Sequence, residues 1–219
     1  NRALSDEDPL IRHTAADRVT TSDAKELVEI VSPLLFDPVR AVRMQAAVRL
    51  AGLPGDLLKP YQKEALDKTL ADYARAMEHS LDFSFAGHNL GNLYAALGEP
   101  EKAERYYKTA IEIDDLFYPA KTNLAVLYNS QGRNEEAERL FREILAAYPE
   151  EYDAAYSLGL LLAEMNRYGE AAVYLAQAAR GMPGRARVFY NLGLAAQAAG
   201  RLDDAGNALE RALELEPSN

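Results

Sequence analysis

The 219-residue sequence contains no cysteine. This absence excludes disulfides, thiolate nucleophiles, cysteine-ligated zinc and covalent haem attachment through a C-x-x-C-H motif within the chain. Long apolar runs are also missing, because segments such as Leu158 to Ala163 are far shorter than the roughly 20 residues that a membrane-spanning helix needs. We therefore expect no membrane insertion by this chain.

Basic residues are scarce compared with acidic ones. The chain has 24 Lys and Arg against 34 Asp and Glu, which gives a formal charge of -10. The excess is uneven: residues 1–83 hold 11 basic and 14 acidic side chains, and residues 84–219 hold 13 and 20. Because phosphate backbones and anionic membrane surfaces attract cationic proteins, this charge argues against nucleic acid or a membrane surface as the partner.

A 34-residue period dominates the sequence from residue 84 onwards. Four leucines recur at this interval, each followed by a small residue: Leu90, Leu124, Leu158 and Leu192. A second set starts thirteen residues after them with Ala103, Ala137, Ala171 and Ala205, followed four residues later by Tyr107, Phe141, Leu175 and Leu209. Spacings of three and four residues place each set on one helical face, so each unit should contain two helices.

The residues between and after the paired helices repeat as well. The position that should end each first helix with a left-handed residue is occupied by Gly98, Gly132, Asn166 and Gly200. Pro100 suits the first turn of a second helix and Asn134 suits an N-cap, while prolines at 149, 183 and 217 close three units. The small residues permit close helix contact, and we expect Gly159 to meet Ala171.

This pattern resembles that of the tetratricopeptide-repeat (TPR) family over residues 84–219, without insertion or deletion. The resemblance divides the region into units 84–117, 118–151, 152–185 and 186–219. It implies an all-α fold, a right-handed α-solenoid of antiparallel helix pairs (a TPR superhelix) whose first helices line a concave groove. It also implies a non-catalytic protein-protein interaction scaffold that binds a peptide or protein in this groove.

The chain before residue 84 shows a different helical pattern. Asp8-Pro9 and Asp37-Pro38 each place an N-cap aspartate before a first-turn proline. The segments 11–16 and 42–47 align with each other, so residues 1–55 resemble a pair of HEAT-type helical repeats. After a break at Gly52, Pro54 and Gly55, residues 56–83 should contain a bridging helix from about Pro60 to Ser80 that caps the first full repeat.

The groove-facing positions follow from helical spacing, because the core-facing residues of each first helix are already assigned. They are His88, Asn89, Asn92, Thr122, Asn123, Val126, Asn129, Tyr156, Ser157, Leu160, Arg187, Tyr190, Asn191, Leu194 and Gln197. One amide or hydroxyl per unit (Asn89, Asn123, Ser157 and Asn191) either hydrogen-bonds the backbone of an extended peptide or bridges neighbouring helices. Tyr156, Leu160, Tyr190 and Leu194 are either apolar anchors for a partner or solvated edges of the core.

One well-known form of the family holds a C-terminal carboxylate with two asparagines and several Lys or Arg residues. Asn92 and Asn123 resemble those asparagines. His88, however, stands where a Lys is required, and Asp153 and Ser157 replace the remaining basic pair. Because the carboxylate of Asp153 would repel a terminal carboxylate, we expect instead a basic or neutral segment with apolar anchors.

The sequence shows no catalytic constellation. Its three histidines, His13, His79 and His88, are far apart and form no metal-binding spacing such as H-E-x-x-H. The acidic pairs Asp114-Asp115 and Asp203-Asp204 match no EF-hand loop, and a glycine-rich phosphate loop is missing. We therefore expect a non-enzymatic protein without catalytic residues, and without a metal or cofactor in this chain.

Two further hypotheses concern assembly. Repeat arrays normally end with a polar capping helix, so Leu202, Leu209 and Leu213 predict an apolar C-terminal edge that pairs two copies through the 202–215 helix or docks on another segment. The order of HEAT-like units, bridging helix and TPR units resembles the C-terminal part of bacterial multihaem cytochromes c that carry such repeats. That resemblance implies a fragment of a longer protein, acting as a periplasmic docking arm; without it a cytoplasmic location is expected.

Overall fold

The computed structural model describes residues 2–216, so Pro217, expected to close the last unit, lies outside the described residues. These residues form twelve α-helices and no strand. The helices of the first half are α1 (Pro9–Asp17), α2 (Ala24–Val31), α3 (Arg40–Leu50), α4 (Pro60–Glu78), α5 (Ser84–Ala96) and α6 (Pro100–Ile113). Those of the second half are α7 (Tyr118–Ser130), α8 (Asn134–Ala147), α9 (Tyr152–Glu164), α10 (Tyr168–Gly181), α11 (Ala186–Ala198) and α12 (Leu202–Leu215). The predicted all-α solenoid of antiparallel helix pairs is confirmed.

Short 3₁₀ helices over Arg2–Ser5, Ser32–Phe36 and Gly55–Leu57 supplement the α-helices. The chain forms two compact units, Asn1–Ile113 and Asp114–Asn219. The first unit contains the HEAT-like segment, α4 and the helix pair α5–α6, and the second contains three further helix pairs.

The two Asp-Pro motifs of the first unit differ in how they start a helix. Asp8 caps α1 as expected, with its Oδ1 accepting from the Leu10 amide at 2.8 Å. The prediction that Asp37 caps a helix directly is wrong, since α3 begins only at Arg40. Asp37 Oδ1 still accepts from the Val39 amide at 2.8 Å, but Val39 keeps an extended backbone, so a short turn precedes the helix.

The repeat within the HEAT-like segment is visible in the hydrogen bonds of two arginines. Arg12 Nη1 donates to the backbone carbonyls of residues 6 and 7 at 2.8 and 3.0 Å. Arg43 Nη1 donates to those of residues 37 and 38 at 2.7 and 3.0 Å. Equivalent arginines thus anchor equivalent loops, which supports the alignment of the two segments.

The predicted bridging helix is present as α4, and it packs against both α3 and α5. The turn before it depends on Gly52, which has a φ of 77°. A Cβ added to Gly52 would come within 1.9 Å of the Ala96 carbonyl oxygen. Both the backbone conformation and this close approach therefore require glycine.

The turns inside the four helix pairs have the predicted left-handed residue. Gly98, Gly132, Asn166 and Gly200 all have positive φ, between 61° and 77°. Pro100 begins α6 as expected, but the prediction that Asn134 caps α8 is wrong. The cap position is Arg133, and Asn134 already has helical geometry, so its Oδ1 is buried and accepts no hydrogen bond within residues 2–216.

The helices of a pair approach each other at the repeat glycines. A Cβ on Gly91 would meet the ring of Tyr107 at 2.4 Å, and a Cβ on Gly159 would meet Leu175 Cγ at 2.7 Å. Gly193 has the same relation to Leu209, at 2.6 Å. Each glycine thus accommodates the large side chain sixteen residues later, so Gly159 faces Leu175 most closely, one helical turn beyond the expected Ala171.

Candidate partner-binding site

All fifteen predicted groove residues retain solvent-exposed surface. His88, Asn89 and Asn92 lie on α5, within the first compact unit. The other twelve lie within the second unit, on the first helix of each pair, α7, α9 and α11. The structure therefore gathers most of the predicted site in residues 114–216.

An aliphatic residue recurs at one position of these three helices. Val126, Leu160 and Leu194 lie exactly one repeat apart, on α7, α9 and α11. Val126 is 54% exposed and Leu194 42%, while Leu160 is half-buried. Exposed or half-buried aliphatic side chains thus recur at one position of three successive repeats.

The amide or hydroxyl side chains that recur once per unit mostly make contacts within the chain. Asn191 Nδ2 donates to the hydroxyl of Tyr156 at 2.7 Å, which joins α11 to α9. Ser157 Oγ donates to the backbone carbonyl of Asp153 at 2.9 Å, within its own helix. In the first unit Asn89 Nδ2 lies 3.8 Å from the sulfur of Met77 on α4. The bridging alternative from the sequence therefore describes Asn89 and Asn191.

His88 lies in a small polar cluster of the first unit. Its Nε2 is 3.4 Å from Asn92 Nδ2, and Asn92 Oδ1 accepts from the hydroxyl of Tyr107 at 2.8 Å. Burial lowers the pKa of His88 below its ordinary value, and the side chain of Asn89 opposes this only in part. His88 is therefore a neutral imidazole at pH 7 and contributes no positive charge to the surface of α5.

Two charged residues of the second unit differ in whether they are paired. Asp153 is exposed and pairs with Arg185 at 3.0 Å, so its negative charge is partly offset. Arg187 is exposed and has no ion pair within the part of the chain that the structure describes.

A second concave feature lies between α11 and α12. This pocket of about 780 Å³ is lined by Ala186, Arg187, Tyr190, Leu209, Ala212, Leu213 and Glu216. Leu209 and Leu213 were predicted to form an apolar edge, whereas Ala186, Ala212 and Glu216 were missed. Ala212 and Glu216 lie one repeat after Ala178 and Met182, which belong to a cluster of packed apolar side chains. That comparison could have identified both residues from the sequence.

Within residues 2–216, no three His, Asp or Glu side chains come close enough to hold a metal ion. None of the helices described is both long and apolar enough to cross a bilayer.

Comparison with known proteins agrees with the repeat geometry. Two family models, both described as tetratricopeptide repeat, match residues 94–160 and 186–219. A crystal structure of MamA is similar with a TM-score of 0.63 and 23% identity, covering 72% of this chain and 92% of that one. MamA 41-end from Desulfovibrio magneticus RS-1 is similar with a TM-score of 0.61 and 18% identity, covering 91% and 99%. No curated protein matches the sequence.

At such low identities, the solved structures establish a shared fold. The repeat matches cover somewhat less than half of the chain, and the helix pairs described above have the geometry that such repeats adopt. Repeats of this kind typically bind other proteins, so a protein-interaction scaffold is the general role that they support.

Proposed function

We propose that the first helices of the second unit bind an extended or helical segment of a partner protein through their aliphatic series. The observation that carries this proposal is the recurrence of Val126, Leu160 and Leu194 at one position of three successive repeats, with two of them about half exposed. Burying such side chains provides binding energy, while the neighbouring polar residues set orientation.

The charge of the surface narrows the partner. The chain is acidic overall, and Arg187 is the only cation among the predicted groove residues. A neutral or basic segment with apolar side chains therefore fits better than an acidic one. Asn191 and Tyr156 already share a hydrogen bond. A partner that contacts both side chains therefore either leaves this bond intact or replaces it with bonds of its own.

The test selects peptides from a random library on the intact chain and measures the affinity of the selected peptides by fluorescence polarisation. The double variant Val126→Ser, Leu194→Ser should lower affinity about tenfold or more, since two apolar contacts are lost. Val173→Ser is the matched control, because Val173 is 58% exposed but lies on α10, the second helix of its pair.

Both variants remove exposed side chains, so neither should unfold the protein, and circular dichroism checks this directly. Selected peptides that bind the double variant as tightly as the unmodified chain would refute the groove proposal. Equal losses for the double variant and Val173→Ser would also refute it, because they would indicate a non-specific apolar effect.

A second candidate function is favoured by the pocket between α11 and α12. Its apolar wall contains Leu213, which is 56% exposed. We propose that the chain also docks through this edge, independently of the aliphatic series.

A further inference from the structure

Two phenylalanine side chains at the start of α5 lie side by side on the surface of the first unit. Phe83 occupies the cap position before α5, and Phe85 belongs to its first turn. Their rings stack with centroids 5.8 Å apart and an interplanar angle of 26°. Phe83 is 61% exposed and Phe85 is 45% exposed, so this phenylalanine pair leaves much of each ring in contact with solvent.

The phenylalanine pair is not used in helix packing. Both neighbours of α5 in the chain, α4 and α6, pack against it. Leu90 and Leu93 of α5 are buried in the fold, whereas the phenylalanine pair remains exposed although both neighbouring helices are in place. Aromatic side chains that packing leaves exposed are the type of residue on which protein interfaces are built.

The chain around the phenylalanine pair is acidic. Residues 76–101 contain no Lys or Arg but four carboxylates, those of Glu78, Asp82, Glu99 and Glu101. Asp82 directly precedes Phe83, is exposed and has no ion pair within residues 2–216. Burial lowers the pKa of His88, three residues after Phe85, so its imidazole is neutral at pH 7 and does not repel a cation.

The basic residues that follow this acidic stretch are engaged with other rings. Lys102 Nζ lies 4.9 Å from the ring centroid of Tyr94. The guanidinium carbon of Arg105 lies 4.7 Å from the ring centroid of Tyr106. In the part of the chain that the structure describes, no cation lies over either ring of the phenylalanine pair. The pair therefore has a free aromatic surface in an environment that attracts positive charge.

An arginine side chain fits this combination better than a lysine or an apolar side chain does. The guanidinium is planar and less strongly hydrated than an ammonium, so it stacks readily on the face of an aromatic ring. Its N–H groups also form parallel hydrogen bonds with a carboxylate, which Asp82 provides next to the rings. An apolar side chain would contact the rings but would gain nothing from Asp82.

We propose that Phe83 and Phe85, together with Asp82, bind an arginine side chain of a partner protein, whose guanidinium stacks on a phenylalanine ring and pairs with the carboxylate. The partner segment carries no acidic residue beside this arginine, because residues 76–101 would repel it. This site lies in the first unit and is independent of the aliphatic series in the second unit.

A second aromatic pair in the chain provides a matched control. Phe36 and Tyr61 have ring centroids 5.7 Å apart and are 54% and 55% exposed. Lys59 and Lys63, however, flank Tyr61 at a distance of two residues on either side. The two pairs thus offer similar aromatic surface next to charges of opposite sign, and only the phenylalanine pair should bind arginine.

The test titrates the intact chain with the peptide Ac-GSRSG-amide and follows the protein's NMR resonances. We expect concentration-dependent shifts centred on residues 82–85. Replacing the arginine of the peptide by citrulline, its neutral isostere, should weaken binding about fivefold or more. Equal binding of the citrulline peptide would indicate a contact without charge and would overturn the proposal, as would the absence of shifts at these residues.

Substitutions in the protein locate the contact. The double variant Phe83→Leu, Phe85→Leu should weaken the peptide about tenfold or more, and Asp82→Asn should weaken it a few-fold. The control variant Phe36→Leu, Tyr61→Leu should leave the affinity unchanged. All of these side chains are exposed, and circular dichroism checks that the variants are folded. Equal losses in the two double variants would overturn the assignment.

One further variant separates this inference from the groove proposal. Val126→Ser, Leu194→Ser should bind the arginine peptide as the unmodified chain does, so the two proposals fail independently of each other. Loss of arginine binding in that variant would place the arginine in the second unit and overturn the site at Phe83 and Phe85.

Discussion

Arg12 binds Asp37 through two parallel hydrogen bonds, from Nε to Oδ2 at 2.7 Å and from Nη2 to Oδ1 at 2.9 Å. The two side chains are only 12% and 5% exposed, and they connect the two HEAT-like segments. A bidentate pair with so little solvent contact is expected to contribute more than the exposed ion pairs along the helices.

Replacement of Asp37 by Ala should lower the free energy of unfolding by about 2 to 3 kcal/mol, because the Arg12 guanidinium loses its partner and the Val39 amide loses its acceptor. Urea denaturation measures this change. Asp72→Ala removes the exposed ion pair to Arg75 and should have a much smaller effect. Equal effects of the two substitutions would show that Asp37 is no more than another surface charge.

Acid should destabilise the fold through a charge network on α8 and α10. Burial alone would raise the pKa of Glu138, but hydrogen bonds from Arg167 and Arg142 outweigh it and lower the pKa. The ion pairs of Glu138 therefore contribute their full stabilisation at pH values above 4.5, the ordinary pKa of a glutamate. This stabilisation is lost as the pH falls through the lower pKa that Glu138 has in the folded state. Denaturation of Glu138→Gln at a series of pH values should show a weaker dependence on pH in that range; an unchanged slope would contradict the network's role.

Helical glycines should tolerate a methyl group only where no side chain faces them. Gly91→Ala pushes its Cβ into the Tyr107 ring and should cost about 1 to 3 kcal/mol, even after the gain in helix propensity. Gly206→Ala on α12 has nothing within 4 Å and should stabilise by about 0.5 to 1 kcal/mol. Thermal unfolding of both variants measures this contrast, and the same sign for both would mean that the helices of the pair are not in contact at Gly91.

His88 should titrate below the ordinary histidine value of 6.5, because burial disfavours its charged form. Since the unfolded chain then binds the proton more readily, the free energy of unfolding should decrease as pH falls from 6.5 towards the folded-state pKa. NMR of the imidazole resonances measures the pKa. His88→Asn should remove this part of the pH dependence, and a measured pKa of 6.5 or higher would show that burial does not control the imidazole.

The sequence by itself determined the helix pairs, because its 34-residue period places apolar residues on fixed helical faces and left-handed residues in each turn. The same local chemistry determined α4 and the Asp8 cap. It misplaced the caps at Asp37, which is held by Arg12 from another helix, and at Asn134, where the cap position is Arg133 instead. Local sequence signals contain no information on such distant partners.

Only the tertiary structure decided which predicted binding residues are exposed to solvent and which already make contacts within the chain. Val126 and Leu194 remain exposed, whereas Asn191 is bonded to Tyr156 across two helices. The sequence places Leu213 of α12 one repeat after Ala179 of α10. Only the structure shows that Ala179 is buried and that Leu213 is exposed. The physical reason is that a periodic sequence specifies how neighbouring helices pack, while exposure depends on whether another helix is present to cover them.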